Sequence, residues 1–468
     1  MEGENSLSIK KIIMYVALTP FTYIKLTEEY GYIANLNIGN QLTFNSTGSS
    51  WLSLLSQSPT NIEDLINGLK INYQDVDYDE LQLDFMDFLR ELESHGFVCF
   101  TATCDSNTPK LPQQDLKITC PTPQIKDLTI ELTNKCNEKC KHCYLPHHIK
   151  EHGKYANLNK TQKIIDEFAS MGGKTITFTG GEVLLYRDLS KVIEYAFSKN
   201  LKVAIYSNLL NLNNEHIELF KKVGVYEVQT SLYGISSATH DTITNVNGSF
   251  DATVHSIKKL IENSIPTKVA YSVMKSNWKE TCMVIDLCKE INVPIDVEIY
   301  INACIDHSQD NLKERLSIDE MRTFFNTLMQ YDKEFCINLL HRHKNQYDEH
   351  FDFLDFLNAP VCSAGYLGLY ITTSGSITTC PNLQGISMGE NLKSLKEVWE
   401  DSPQINKIRH LLEGSLSKCV ECEASDFCAR CFARNYCEKR DLTIPPEYAC
   451  EVAFLAKEII TKNKEQLC

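Results

Sequence analysis

The sequence predicts an α/β protein whose centre is a partial (β/α)6 TIM barrel. Three observations carry this expectation. Six strand-like runs alternate with helix-like runs between residues 128 and 332, the pattern of parallel strands joined by crossover helices. The first hundred residues read instead as a hairpin followed by helices, with Cys99 as their one cysteine. Beyond about Ile337 the alternation stops, and cysteines dominate from Cys362 to Cys450. The chain of 468 residues is long enough for such a division. The expected parts are residues 1–100, a linker at 101–124, the barrel at 125–336 and a cysteine-rich domain at 337–468.

In the first part, Tyr32–Ile38 and Gln41–Phe44 alternate as a hairpin turning at Ile38–Gln41. Helical patterns follow at 49–55, at 62–69 after the Thr60–Asn61 start, and at 81–92, where Leu81, Phe85, Phe88, Leu89 and Leu92 share one face. A short strand returns at Phe97–Phe100. Residues 101–124 hold four prolines and little apolar periodicity, hence the linker. The barrel strands are expected at 128–132, 175–178, 203–206, 227–232, 268–273 and 297–301. Helices are expected near 161–171, 189–198, 215–223, 252–263, 279–291 and 318–332, and a last one near 452–460. In such an architecture chemistry gathers at the carboxyl ends of the strands.

Composition narrows the function. Hydrophobic residues make up 43% of the chain and charged residues 23%, as in an ordinary globular protein. No apolar run reaches the ~20 residues of a membrane span. The amino terminus also lacks a signal-peptide pattern, so a cytoplasmic, membrane-free protein is expected. A net charge of −15 argues against nucleic acid as a partner. The anomaly is 19 cysteines, an odd number in a chain expected to meet a reducing compartment. Clustered thiols there point to metal or redox chemistry.

Cys136, Cys140 and Cys143 follow directly on the first barrel strand, with three and two residues between them. Three thiolates on one loop can converge on an iron–sulfur cluster and leave one iron open for a small molecule. The competing readings are a zinc knuckle or three core cysteines. Gly180-Gly181-Glu182 ends the second strand, Ser207-Asn208 the third, and Ser231 lies in the fourth.

These residues resemble the radical S-adenosylmethionine (AdoMet) superfamily, whose hallmark is CxxxCxxC after the first barrel strand. The resemblance implies a [4Fe–4S] cluster on Cys136, Cys140 and Cys143 with AdoMet chelated at its open iron. It implies that Gly180, Gly181 and Glu182 bind AdoMet, with Ser207, Asn208 and Ser231 as further polar contacts. Reductive cleavage in that family yields a 5′-deoxyadenosyl radical, the electron coming from an external flavodoxin- or ferredoxin-type donor. After His240-Asp241 many relatives have Arg-Gly. This chain reads Ile243-Thr244-Asn245, so that arginine's role is absent or met elsewhere.

The later cysteines, Cys362, Cys380, Cys419, Cys422, Cys428, Cys431 and Cys450, resemble the SPASM domain appended to one branch of the superfamily. The interval from Cys428 to Cys431 holds two residues where the family usually has three. A zinc ribbon would use four of the seven and leave three unexplained. The resemblance implies two auxiliary [4Fe–4S] clusters, one on Cys419, Cys422, Cys428 and Cys450, the other on Cys362, Cys380 and Cys431. The second set has three thiolates, because Ser363–Tyr370 lacks the extra cysteine of some relatives. Its fourth position is left for a substrate thiolate in the favoured reading, with Cys437 folding back as the alternative. Cys99, Cys104, Cys120, Cys282, Cys288, Cys304, Cys336 and Cys468 show no ligand spacing and are mostly expected to be structural.

A hairpin followed by three helices is similar to a winged helix, and to the recognition element that binds leader peptides in enzymes modifying ribosomally made peptides. Five basic against fourteen acidic side chains in residues 1–100 disfavour DNA. In recognition elements the leader adds as a strand to the hairpin edge; a structural cap is the bland alternative. The whole resembles a radical AdoMet/SPASM peptide maturase. It implies a precursor peptide bound through its leader, hydrogen abstraction, and a thioether from a peptide cysteine. Sulfur-free oxidation or carbon–carbon cross-linking is the nearest alternative, and a non-catalytic iron–sulfur redox protein a more distant one.

Overall fold

The structure is a computed structural model that describes residues 14–27, 29–102, 122–341, 352–389 and 394–464. Two compact units emerge: the described residues of Met1–Pro121, Lys344–Ala359 and Leu411–Ser425 form one, and those of Thr122–His343, Pro360–His410 and Asp426–Cys468 the other. Most of the expected linker lies outside the described residues, as do Cys104, Cys120 and Cys468. Among the described residues, no helix is long and apolar enough to cross a membrane.

The first unit runs β1 (Tyr15–Leu18), β2 (Thr22–Leu26), β3 (Gly31–Asn35), β4 (Asn40–Phe44), α1 (Ser46–Leu52), β5 (Thr60–Asn61), α2 (Ile62–Asn72), α3 (Tyr78–Ser94) and β6 (Val98–Thr101). Asn45, Asn61 and Asp77 each cap a helix by accepting a first-turn N–H. The predicted apolar face of α3 is fully inside, packed on Ile24, Ile33 and Leu52. The expected hairpin is β3–β4, but β3 stops at Asn35. Asn35 Oδ1 accepts the N–H groups of Asn37 (2.9 Å) and Ile38 (3.2 Å), turning the chain early. The sequence reading does not anticipate β1 and β2. β2 extends the hairpin to the antiparallel order β2-β3-β4, while β1 lies between β5 and β6 in a separate sheet.

Residues 352–359 and 411–425, far along the chain, pack within this unit. Tyr32, Ala34 and Leu36 meet Phe353, Phe356, Leu357 and Val420 in one apolar cluster. Gln41 Oε1 accepts from Leu354 N at 2.9 Å, and the buried Lys25 Nζ donates to Ser425 Oγ at 2.7 Å. The β2-β3-β4 sheet is therefore covered on both faces, with the helices on one side and this returning segment on the other.

The second unit contains the predicted parallel strands: β7 (Asp127–Thr133), β8 (Thr175–Gly180), β9 (Lys202–Tyr206), β10 (Glu227–Ser231), β11 (Thr267–Ser272) and β12 (Ile295–Glu298). They lie in sequence order, each parallel to the next. Ile176, Phe178, Ile205, Val228 and Val269 are completely buried, as expected of parallel strands covered by crossover helices. Asn157, Asn213 and Ser317 cap three of those helices.

Two features depart from the expectation. The alternation does not end the sheet, because β13 (Gly368–Ile371) pairs parallel to β7 on its free side and β14 (Ile377–Thr378) follows antiparallel. A four-residue strand formed after a long excursion leaves no periodic signal. An extra helix, Ser237–Thr244, follows β10. Its polar sequence has little helical patterning; Asp241 anchors it by accepting from Gly248 N (2.6 Å) and Phe250 N (2.8 Å).

Arg315 ties the loop after β12 to the helix Phe432–Lys439. Its Nη1 donates to Glu438 Oε2 at 2.9 Å and its Nε to Ile301 O at 2.9 Å, with side chains only 10% and 8% exposed. Arg315→Met strands a buried carboxylate, which costs about 3–5 kcal/mol. A fall of that size in unfolding free energy, read by urea titration, is the expected outcome; an unchanged midpoint would show the pair contributes nothing.

Candidate functional site

The site begins where β7 ends. Gly181 N donates to Thr133 O at 2.7 Å and Glu182 N to Lys135 O at 2.8 Å, so the end of β8 is bonded to the residues leading into Cys136. The approach is close. A Cβ on Gly180 would lie 2.3 Å from Thr133 O, and one on Gly181 2.5 Å from Lys135 O. Only glycine lets the two main chains meet here.

Three other elements hold the cysteine loop. Lys139 N and Lys141 N donate to the carbonyls of Thr244 (2.9 Å) and Ile243 (3.1 Å), and Asn245 Nδ2 donates to Lys139 O at 2.7 Å. The residues standing where relatives have Arg-Gly thus latch the loop through the backbone. Asn208 Nδ2, after β9, reaches Asn137 Oδ1 at 2.7 Å. After β12, Ile305 N donates to Tyr144 O at 3.1 Å and Asn311 Nδ2 to His142 O at 3.3 Å.

Within this frame the charge of all three thiols acts on a buried lysine. Lys150 is 8% exposed. Burial opposes its charge, but Cys143, Cys136 and Cys140 outweigh that and hold its pKa above the usual lysine value. Burial pushes the Cys136 thiol up to about 12, against an N–H from Glu138 at 3.4 Å. Cys140 Sγ donates to Glu138 Oε2 at 3.2 Å, and burial lifts Glu138 to about 7. Three soft donors on one buried loop beside a fixed cation fit an anionic iron–sulfur cluster.

The expected AdoMet residues converge, although partly on one another. Glu182 is 1% exposed; its Oε1 accepts from Ser207 Oγ (2.7 Å) and Leu184 N (2.8 Å), its Oε2 from Asn208 N (2.7 Å). The carboxylate is thereby spent on joining the ends of β8 and β9. Ser231 bonds to the phenol of Tyr233, which lies against the ring of His142 at 4.8 Å. The main chain at Gly180–Gly181, unshielded by any side chain, is the feature that fits a small polar ligand.

Of the later cysteines, Cys362, Cys380 and Cys431 share the second unit, Cys431 capping the helix Phe432–Lys439 by accepting from Arg434 N at 3.4 Å. Cys419 and Cys422 belong to the first unit; Cys428 and Cys450 belong to the second, Cys450 on the helix Glu447–Lys464. Sequence reasoning missed Asn137, Glu138, Lys150, Asn311 and Cys304, whose Sγ donates to Cys143 O at 3.6 Å. Asn137 and Glu138 lie inside the motif, the one available signal. Lys150, Cys304 and Asn311 come from outside it, and no spacing rule reaches them.

Two tests follow from this geometry. Gly181→Ala forces a clash against a backbone carbonyl that cannot swing away; a loss of about 1–3 kcal/mol in stability and weaker AdoMet binding by equilibrium dialysis are expected. His240, 1% exposed, accepts from Tyr233 N at 3.0 Å, and burial lowers its pKa to about 4. Between pH 6.5 and 4 the unfolded chain binds a proton the fold refuses, so stability falls with acidity, by about 3 kcal/mol at the lower end. His240→Asn keeps the acceptor and removes the proton site; its stability should lose this pH dependence in chemical denaturation.

Comparison with known proteins agrees with this frame. Residues 130–288 match the radical SAM superfamily, and residues 27–98 match coenzyme PQQ synthesis protein D (PqqD). The sporulation killing factor maturation protein SkfB of Bacillus subtilis is 26% identical over 68% of this chain and 72% of its own. An AdoMet-dependent heme synthase of Nitratidesulfovibrio vulgaris is 23% identical over 67% of this chain and 89% of its own. The crystal structure of Streptococcus suis SuiB bound to the precursor peptide SuiA superposes with a TM-score of 0.54 at 16% identity, covering 93% of this chain and 99% of that one, a likeness of fold. With the cysteine loop and the Gly-Gly-Glu clamp in place, residues 130–288 carry the radical SAM match, and residues 27–98 ahead of them carry the PqqD match.

Proposed function

We propose that this enzyme modifies a ribosomally made peptide, held by its leader, and forms a thioether between a peptide cysteine and a carbon centre. The observation that carries this is the joining in one chain of a radical SAM match with a PqqD-like unit whose sheet is covered on both faces and, among the described residues, unpaired at one edge. Outer β4 bonds to β3 alone in its sheet, and Asn40, Gln41 and Thr43 on it are exposed. An extended leader can add there by main-chain hydrogen bonds. The likeness to SkfB, a maturation protein, and to SuiB, seen with a precursor peptide, supports a peptide substrate. The heme synthase match belongs to the shared radical SAM part and says nothing of the leader.

A [4Fe–4S] cluster on Cys136, Cys140 and Cys143 with AdoMet at its open iron supplies, on reduction by a flavodoxin- or ferredoxin-type protein, the 5′-deoxyadenosyl radical that removes a substrate hydrogen. The chain's own residues then bind and orient. Lys150 offsets thiolate charge, the Gly180–Gly181 main chain offers its polar groups to the AdoMet amino acid end, and Glu182 fixes Ser207 and Asn208 around it. Cys362, Cys380 and Cys431 would supply one auxiliary cluster, and Cys419, Cys422, Cys428 and Cys450 keep the role that the resemblance to the SPASM domain implies.

The test is anaerobic incubation with AdoMet, dithionite and a cysteine-containing peptide encoded beside this gene. The peptide should lose two hydrogens by mass spectrometry, with 5′-deoxyadenosine formed alongside, and Cys140→Ala should abolish both. Modification of a cysteine-free analogue would favour sulfur-free oxidation or carbon–carbon linkage. Absence of 5′-deoxyadenosine with every peptide would leave a redox carrier.

A further inference from the structure

We infer that Cys437 is the fourth protein ligand of the auxiliary site made by Cys362, Cys380 and Cys431, so that the chain itself closes this cluster. The inference rests on the reading of those three cysteines as ligands. It replaces the expectation of an iron left open for a peptide thiolate.

Cys437 lies on the helix Phe432–Lys439, which Cys431 caps. It is 1% exposed, and its Sγ lies 3.2 Å from Asn382 O. Asn382 sits in the turn Pro381–Leu383 directly after Cys380. The Cys437 sulfur is thus held on the carbonyl of the turn that Cys380 begins. Cys431 Sγ accepts from Arg434 N and Cys362 Sγ from Ala364 N, each at 3.4 Å. N–H donors aimed at sulfur are the contacts that tune iron–sulfur thiolates.

The four thiols also feel one another. Cys431, Cys362 and Cys437 all act on the charge of Cys380, and Cys431 acts on Cys437. Cys304 is the other buried thiol near Cys437, but it donates to Cys143 O and does not act on Cys380. It comes from the chain after β12 and contacts the loop of Cys136, Cys140 and Cys143.

The plain alternative is a core cysteine satisfied by Asn382 O. The full-length chain with Cys136, Cys140 and Cys143 all replaced by Ala separates the two, because only auxiliary iron remains in it. That protein should hold about eight irons in two [4Fe–4S] clusters. Its reduced EPR signal should ignore added cyanide, which binds only an open iron. Adding Cys437→Ala should remove between one and four irons and make any remaining signal respond to cyanide. Cys437→Ser, one atom different, keeps the packing and should shift the signal even if the alanine variant is unstable. An unchanged iron count and signal in both variants would overturn the inference, as would a cyanide response with Cys437 intact. A triple-alanine protein without iron would instead overturn the auxiliary-site reading beneath it.

Discussion

Two main-chain hydrogen bonds, from Gly181 and Glu182 to the carbonyls of Thr133 and Lys135, hold the end of β8 against the loop leaving β7. They form because two consecutive residues lack a Cβ, and they bring the cysteine loop to a fixed distance from the next strand. The rest of the site is arranged around that contact. Glu182, immobilised by it, accepts from Ser207 and Asn208 and so sets the end of β9. Asn208 then returns to the cysteine loop through Asn137. The result is a closed circuit of short hydrogen bonds across three adjacent strand ends, which is how a parallel sheet makes a rigid pocket from separate loops.

Charge inside this circuit is arranged to suit a guest that brings its own. Burial raises the pKa of Glu138, Glu182, Cys136 and Cys140 above their ordinary values. Lys150 is the counterweight, kept cationic by three sulfurs despite burial. Burial lowers the pKa of His240, whose Nδ1 accepts from Tyr233 N.

The first unit shows a different economy of surface. Its three-stranded sheet would expose Tyr32 and Ala34 on the face away from the helices, but residues 353–357 and Val420 cover them. The leader recognition proposed above would use backbone at an edge, where sequence demands on a peptide are loose. The covering segment is continuous with Cys419 and Cys422, so the unit proposed to grip the leader also carries two of the expected cluster ligands.

Local pattern made much of this legible. The barrel strands are buried apolar runs and the helices have a clear apolar face, so both appear in the sequence to within a few residues, as does α3. The cysteine loop and the Gly-Gly-Glu turn could be read because ligand spacing and glycine need are properties of adjacent residues. What lay beyond reach was whatever depends on distant chain meeting: β13 against β7, the return of 353–357 to β3, Lys150 among the thiols, Cys437 beside Asn382. The three-cysteine motif by itself set the expectation of an iron–sulfur cluster with one iron free. Whether a further cysteine stood near the auxiliary ligands was decided only when the helix Phe432–Lys439 packed on the turn after Cys380, because a contact over 55 residues leaves no trace in spacing.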